Sequence, residues 1–153
     1  FSPRFKLTEL NDNNFFKALY IATTWEAGTD FNNYLYGVGT TLNLNHFNFF
    51  KVNWYRKNND LTKDNWQTTV SWALPVTIGN QQLLYDGFID WTSTTTDQAS
   101  SFNLTSQLKY NIKNLLPATK DLWIGIEYVY WNNKFGIKNI NERNLNFLVK
   151  LHF

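Results

Sequence analysis

Asp86, Phe88 and Asp90 stand two residues apart in the run Tyr85-Asp86-Gly87-Phe88-Ile89-Asp90-Trp91. On an extended strand that spacing puts all three side chains on one face. An aromatic ring between two carboxylates offers a π-face for stacking and acceptors for the donor edges of a flat polar solute. Such stacking is worth roughly 1–3 kcal/mol per ring, enough to select a solute and little enough to release it. Trp123, Glu127 and Trp131 repeat the mixture on another strand. Parity within the other runs adds Arg4 and Lys6, then Lys51, Asn53 and Tyr55, then Lys109 and Lys113, and finally Asn146, Leu148, Lys150 and His152. For any one of these charges the commoner role is an inward salt bridge between strands. Arg4 and Lys6 in particular either guide anionic solutes or pair with the aspartates.

Other chemistries lack their residues. There is no cysteine, hence no disulfide, thiolate ligand or thiol nucleophile, and the histidines are His46 and His152 alone. No Gly-x-Ser-x-Gly elbow accompanies His152, so a serine hydrolase would lack its geometry. Asp60, Asp64, Asp97 and Asp121 fall in turns, where aspartate serves local hydrogen bonding, and the Asp60–Asp64 loop lacks an EF-hand pattern. The expectation is a protein that is not an enzyme, with no catalytic residue, metal or cofactor. A net charge of +2 with 17% charged residues gives no reason to expect a nucleic-acid partner.

The elements that position these residues are strands. Period-2 alternation runs through the chain, bounded by clusters of Asn, Asp, Gly and Thr. It predicts nine strands: Phe1–Glu9, Phe15–Glu26, Asn33–Asn45, Phe47–Lys57, Asn65–Ile78, Gln82–Thr92, Phe102–Leu115, Leu122–Asn132 and Leu145–Phe153. The almost unbroken apolar stretch Phe15–Ala22 leaves its facing open and also admits a helix, although Thr23, Thr24 and Trp25 favour extended chain. No linker or composition shift divides the 153 residues, so residues 1–153 form a single all-β domain, an up-and-down meander of hairpins.

A meander of this kind closes either around a dry core or around a wet one. No stretch reaches the roughly 18 apolar residues of a membrane helix. A mean hydropathy of −0.41 fits a soluble domain, but it fits equally a barrel whose strands alternate lipid-facing and lumen-facing residues. The polar face is mostly Asn, Gln, Thr and Ser rather than Lys and Glu. The apolar face is aromatic near strand ends: Tyr34, Tyr36, Trp54, Trp66, Trp72, Tyr85, Trp91, Tyr128 and Tyr130. Such rings form the interfacial girdles of membrane barrels, although aromatics also fill soluble cores. The last strand alternates Phe147, Val149, Leu151 and Phe153, the kind of aromatic-ended strand that bacterial barrel-assembly machinery takes up. The expectation is an antiparallel up-and-down transmembrane β-barrel in the bacterial outer membrane.

Phe1-Ser2-Pro3-Arg4-Phe5, Tyr36-Gly37-Val38-Gly39-Thr40, Trp66 through Pro75, Gly87-Phe88-Ile89-Asp90-Trp91, and Asn133-Lys134-Phe135-Gly136 with Asn141-Glu142 occur in this order. This succession resembles the nucleoside-specific channel-forming outer-membrane proteins, the Tsx and OmpK-like family. The resemblance implies a monomeric barrel of twelve strands for passive uptake of nucleosides. The family's strand with Pro-Arg-Phe is preceded by others, and bacterial single-chain barrels have even strand numbers. Nine strands beginning at Phe1 therefore predict a chain cut short at its N-terminus, processed or truncated.

The resemblance makes the lumen candidates Arg4, Lys51, Tyr55, Asp86, Phe88, Asp90, Lys109, Trp123, Glu127, Trp131 and Lys150 a solute-binding set. A nucleoside suits the mixture, with a base that stacks and hydroxyls that need donors and acceptors. The expected partners are the outer-membrane bilayer, nucleosides or similar small polar solutes, and the assembly machinery through Phe153. Three readings compete with this one. A barrel enzyme would depend on His152. A non-conducting barrel would serve as a structural partner in a larger complex. A soluble ligand-binding barrel would lack the Gly-x-Trp opening of lipocalins.

Overall fold

The computed structural model describes residues 1–10, 14–112 and 122–151. Nine strands form one antiparallel sheet in chain order, each beside its sequence neighbours. They are β1 (Arg4–Glu9), β2 (Phe16–Ala27), β3 (Asn32–Leu42), β4 (Phe49–Asn58) and β5 (Asn65–Ile78). The remainder are β6 (Gln81–Thr92), β7 (Ser101–Asn111), β8 (Leu122–Asn132) and β9 (Glu142–Leu151). Local chemistry explains the connections. The β5–β6 hairpin turns on Gly79-Asn80, with Ile78 opposite Gln81 and Gly79 at φ +59°, a conformation glycine adopts without a Cβ penalty.

The expected strands are all present, and β2 is strand where a helix was open. Bounds differ at the ends. β1 starts at Arg4 because Pro3 has no N–H for the ladder, and β9 starts at Glu142, three residues before the predicted Leu145. The end of the strand expected to reach Leu115, the candidate Lys113, the turn residue Asp121, and the terminal His152 and Phe153 lie outside the described residues. The sheet is open: β1 is hydrogen-bonded to β2 and β9 to β8, and β1 and β9 form no ladder with each other. Among the described residues no helix is long and apolar enough to cross a membrane.

Register fixes which residues share a face. One row runs Ile21–Val38–Trp54–Thr68–Trp91–Phe102, and the next runs Leu19–Thr40–Val52–Val70–Ile89–Leu104–Tyr130. Interleaved with them, on the opposite face, is Asn53–Thr69–Asp90–Asn103–Trp131. The apolar face is open to the surroundings, with Val38 58% and Phe147 95% exposed. Apart from Lys17 at the β2 bulge, its ladder residues carry two charges, Arg56 and Arg143. Each guanidinium sits over a ring, Trp66 at 5.5 Å and Tyr130 at 5.1 Å.

The polar face is concave. Ala22, Leu35 and Tyr55 are buried there in a small cluster. Close approach of strands demands small residues: a Cβ on Gly37 would lie 1.9 Å from the Trp54 carbonyl oxygen. The sheet coils enough for residues of β1 and β6 to line one cavity.

Candidate functional site in the polar concavity

All eleven candidates, Arg4, Lys51, Tyr55, Asp86, Phe88, Asp90, Lys109, Trp123, Glu127, Trp131 and Lys150, share the concave face in the ladder register. They do not form one cluster. Arg4, Lys51, Tyr55, Phe88 and Asp90 line a cavity of about 630 Å³ between β1 and β6. A second cavity of about 560 Å³ opens beneath the longer loops, where Asp90 and Trp131 meet Glu26, Lys57, Gln67 and Asn103. Asp90 belongs to both and joins them.

The ion pairs of the face follow the commoner expectation for inward charges. Lys109, 3% exposed at its side chain, pairs with Asp86 at 2.5 Å, and Lys57 pairs with Glu26 at 2.7 Å. Lys6 pairs with Glu9 at 2.8 Å on the same strand. Polar side chains hold the other carboxylates. Thr69 Oγ1 donates to Asp90 at 2.5 Å with Gln67 Nε2 at 3.4 Å, and Gln107 Nε2 donates to Glu127 at 2.6 Å. Arg4, like Lys51, differs from these cations. Its guanidinium stacks 3.9 Å from the Tyr20 ring and donates to Thr41, with no carboxylate partner among the described residues.

The two constellations read from spacing fare differently. Phe88 keeps its place between Asp86 and Asp90, but Asp86 is occupied by Lys109 and Asp90 by Thr69 and Gln67. Trp123 and Trp131 lie eight residues apart on β8, roughly 26 Å at a rise of about 3.3 Å per residue. They therefore cannot flank one small solute around Glu127. Trp123 sits opposite Asn111 and Lys150 at the far end of the sheet. Trp131 instead donates its indole N–H to Ser101 at 2.9 Å and meets the Phe135 ring edge-on at 4.7 Å.

Sequence reasoning missed the wall around Trp131. Phe135 comes from the β8–β9 connection, where it adopts φ +57° beside Gly136 at φ +76°. Phe31, Leu61 and Phe135 bring apolar surface from three loops to the same cavity. The loops at this end are tied together: Asp60 N–H donates to Asn33 at 3.1 Å, Lys63 N–H to Asp97 at 3.0 Å, and Ala99 N–H to the Gly136 carbonyl at 2.8 Å. The Thr95 hydroxyl and the Lys63 N–H hold the exposed Asp97 carboxyl below the ordinary aspartate range. Among the described residues no three His, Asp or Glu side chains gather in a metal-holding group.

The arrangement can stack a ring, hold hydroxyls and amides, and balance charges of both signs within one polar trough. The chain matches no protein-family model and no curated protein sequence.

Proposed function

We propose that the sheet is wall of an outer-membrane β-barrel whose lumen admits nucleosides or similar small polar solutes by passive diffusion. The observation that carries this reading is the division between the faces. One carries Leu, Ile, Val and aromatic residues exposed in long rows; the other carries the partly buried ion pairs and the cavities. In water the exposed rows would be a large unfavourable surface, whereas in hydrocarbon they cost nothing. Arginines over rings at the loop end suit the headgroup boundary, where cations snorkel and Trp and Tyr anchor. Hydrocarbon tolerates no unpaired edge, so the reading requires the edges of β1 and β9 to be paired, with each other or with further strands.

Nucleosides are favoured within the solute class by the resemblance of the Gly87–Trp91 segment and its companions to the Tsx and OmpK-like family, and by Phe88 lining a polar cavity. The unpaired edges favour a second reading, a non-conducting wall element in a larger membrane assembly. Single-channel conductance in a planar bilayer, titrated with adenosine, thymidine and a free base, separates the two. A small conductance blocked saturably by nucleosides is expected. Conductance indifferent to nucleosides would leave a general pore, and silence with co-purification of another subunit would select the assembly element.

A further inference from the structure

We propose that the cavity between β1 and β6 contains a subsite for an oxyanion carried by a small polar solute, built from Arg4, Lys51 and Asn53. The proposal rests on the reading of this face as a solute path and names a chemical class within it. Arg4 and Lys51 are the two cationic side chains lining this cavity, and neither has a carboxylate partner among the described residues. Both are tied to the Thr41 position, Arg4 by a hydrogen bond and Lys51 by register, while the Lys51 ammonium itself lies 4.5 Å from the Phe49 ring. Arg4 Nη1 donates to Thr41 Oγ1 at 3.3 Å, and Thr41 on β3 is the ladder partner of Lys51 on β4.

The polar atoms left over point to what belongs between them. Arg4 Nε and Nη2 are buried without a hydrogen-bond partner, and so is Asn53 Oδ1. Asn53 is only 8% exposed, so its free acceptor is turned inward and away from bulk water. Gly39 makes the room. A Cβ there would stand 2.2 Å from Asn53 Oδ1 and 3.1 Å from Arg4 Nη2, so only glycine lets both atoms sit this close to the β3 backbone. The Tyr20 ring, 3.9 Å from the guanidinium, fixes the plane of the donors.

Two cations lining one cavity without a carboxylate partner, and buried donors without acceptors, are costly. An oxyanion resolves both, since a guanidinium edge matches two oxygens of a phosphate or carboxylate and an ammonium adds a point charge. The amide oxygen of Asn53 then takes a hydroxyl on the same solute. Neither carboxylate of the cavity competes: Glu26 pairs with Lys57 at 2.7 Å, and Asp90 is held by Thr69 and Gln67. In the row Asn53–Thr69–Asp90 the aspartate lies two strands away, roughly 10 Å at about 4.8 Å per strand. Its carboxylate suits the donor-bearing end of the solute. A phosphate monoester of a hydroxylated solute satisfies all these groups.

The test is calorimetric titration of the detergent-refolded protein with inorganic phosphate, thymidine and thymidine 5′-monophosphate. The phosphorylated solute is expected to bind at least about tenfold more tightly than thymidine, as charge-assisted hydrogen bonds require. Lys51→Gln is expected to abolish most of that ratio, and Gly39→Ala to do the same by displacing Asn53 Oδ1 and crowding Arg4 Nη2 without changing charge. Circular dichroism confirms that each variant is folded. Equal binding of thymidine and its monophosphate, or a ratio unchanged in either folded variant, would overturn the subsite. Bilayer recordings separate this from the channel reading. Phosphate binding that depends on Lys51 in a protein that conducts nothing would support the subsite while removing the channel, and nucleoside-blocked conductance without phosphate preference would do the reverse.

Discussion

Val38 and Gly39 are adjacent on β3, and their surroundings have nothing in common. Val38 stands 58% exposed in a row with Ile21 and Trp54, where no charged side chain lies. Gly39 lies beneath the guanidinium of Arg4 and the amide of Asn53. The same contrast repeats along β6, where Ile89 belongs to the apolar rows and its neighbours Phe88 and Asp90 to the cavity. In a protein dissolved in water, the buried groups would be the apolar ones and the exposed groups the charged ones. Here the buried set includes Lys109, Asn53, Gln67 and Asn111, and the exposed set includes Ile21, Trp54 and Phe147. Under the proposed membrane reading, that inversion means the two faces are solvated by different media.

The largest way to break the contrast is to place a charge on the apolar face. If the proposed membrane reading holds, Val38→Arg is expected to destabilise the protein in lipid vesicles by about 2–4 kcal/mol, read from denaturant unfolding. The same residue introduced at Ser71, on the polar face, is expected to cost far less. Equal costs at the two positions would erase the distinction. Next in size is the polar face's own dependence on pairing. Lys109→Met leaves Asp86 beside an apolar side chain in a poorly exposed place and is expected to cost about 1–3 kcal/mol. The double variant with Asp86→Leu should recover much of it, because both charges leave together.

Aromatic contacts on the apolar face come next. Trp54 and Trp66 lie 5.1 Å apart, and Trp54→Ala is expected to lose about 1 kcal/mol beyond its area term, measured by a double-mutant cycle with Trp66→Ala. The smallest effect lies in the loops. Asp97 is held ionised by Thr95 and the Lys63 N–H, so its contribution is present above the ordinary aspartate pKa of about 3.9 and is lost as pH falls through its lower folded value. The melting difference between the protein and Asp97→Asn should therefore be present at neutral pH and vanish in acid.

Much of this division was legible in the residues, because a period of two survives wherever one face is polar. Asp86, Phe88 and Asp90 fall on one face of β6 for that reason, as do Lys109 on β7 and Glu127 on β8. β2 resisted the same reading. Its apolar run gives no parity, and a register shift between Phe16 and Ala18 resets the facing. Glu26, at the end of that strand, therefore gave no sign of its pairing with Lys57 two strands away. Spacing also misled where distance mattered: Trp123 and Trp131 share a face, but strand rise carries them to opposite ends. Nor does alternation tell which inward cation finds a carboxylate. Lys57 and Lys109 do and Arg4 does not, a difference that depends on register across several strands.

The absence of cysteine makes the most direct test clean, since every introduced thiol is the only one in the sequence. Single cysteines at Val38 and Ile126 on the apolar face, and at Ser71 and Thr105 on the polar face, would be reconstituted in lipid vesicles and treated with a small water-soluble maleimide. The account predicts rapid labelling at Ser71 and Thr105, and protection at Val38 and Ile126 that is lost when the protein is unfolded. Labelling of both faces at similar rates, or protection of the polar face with an exposed apolar one, would contradict it.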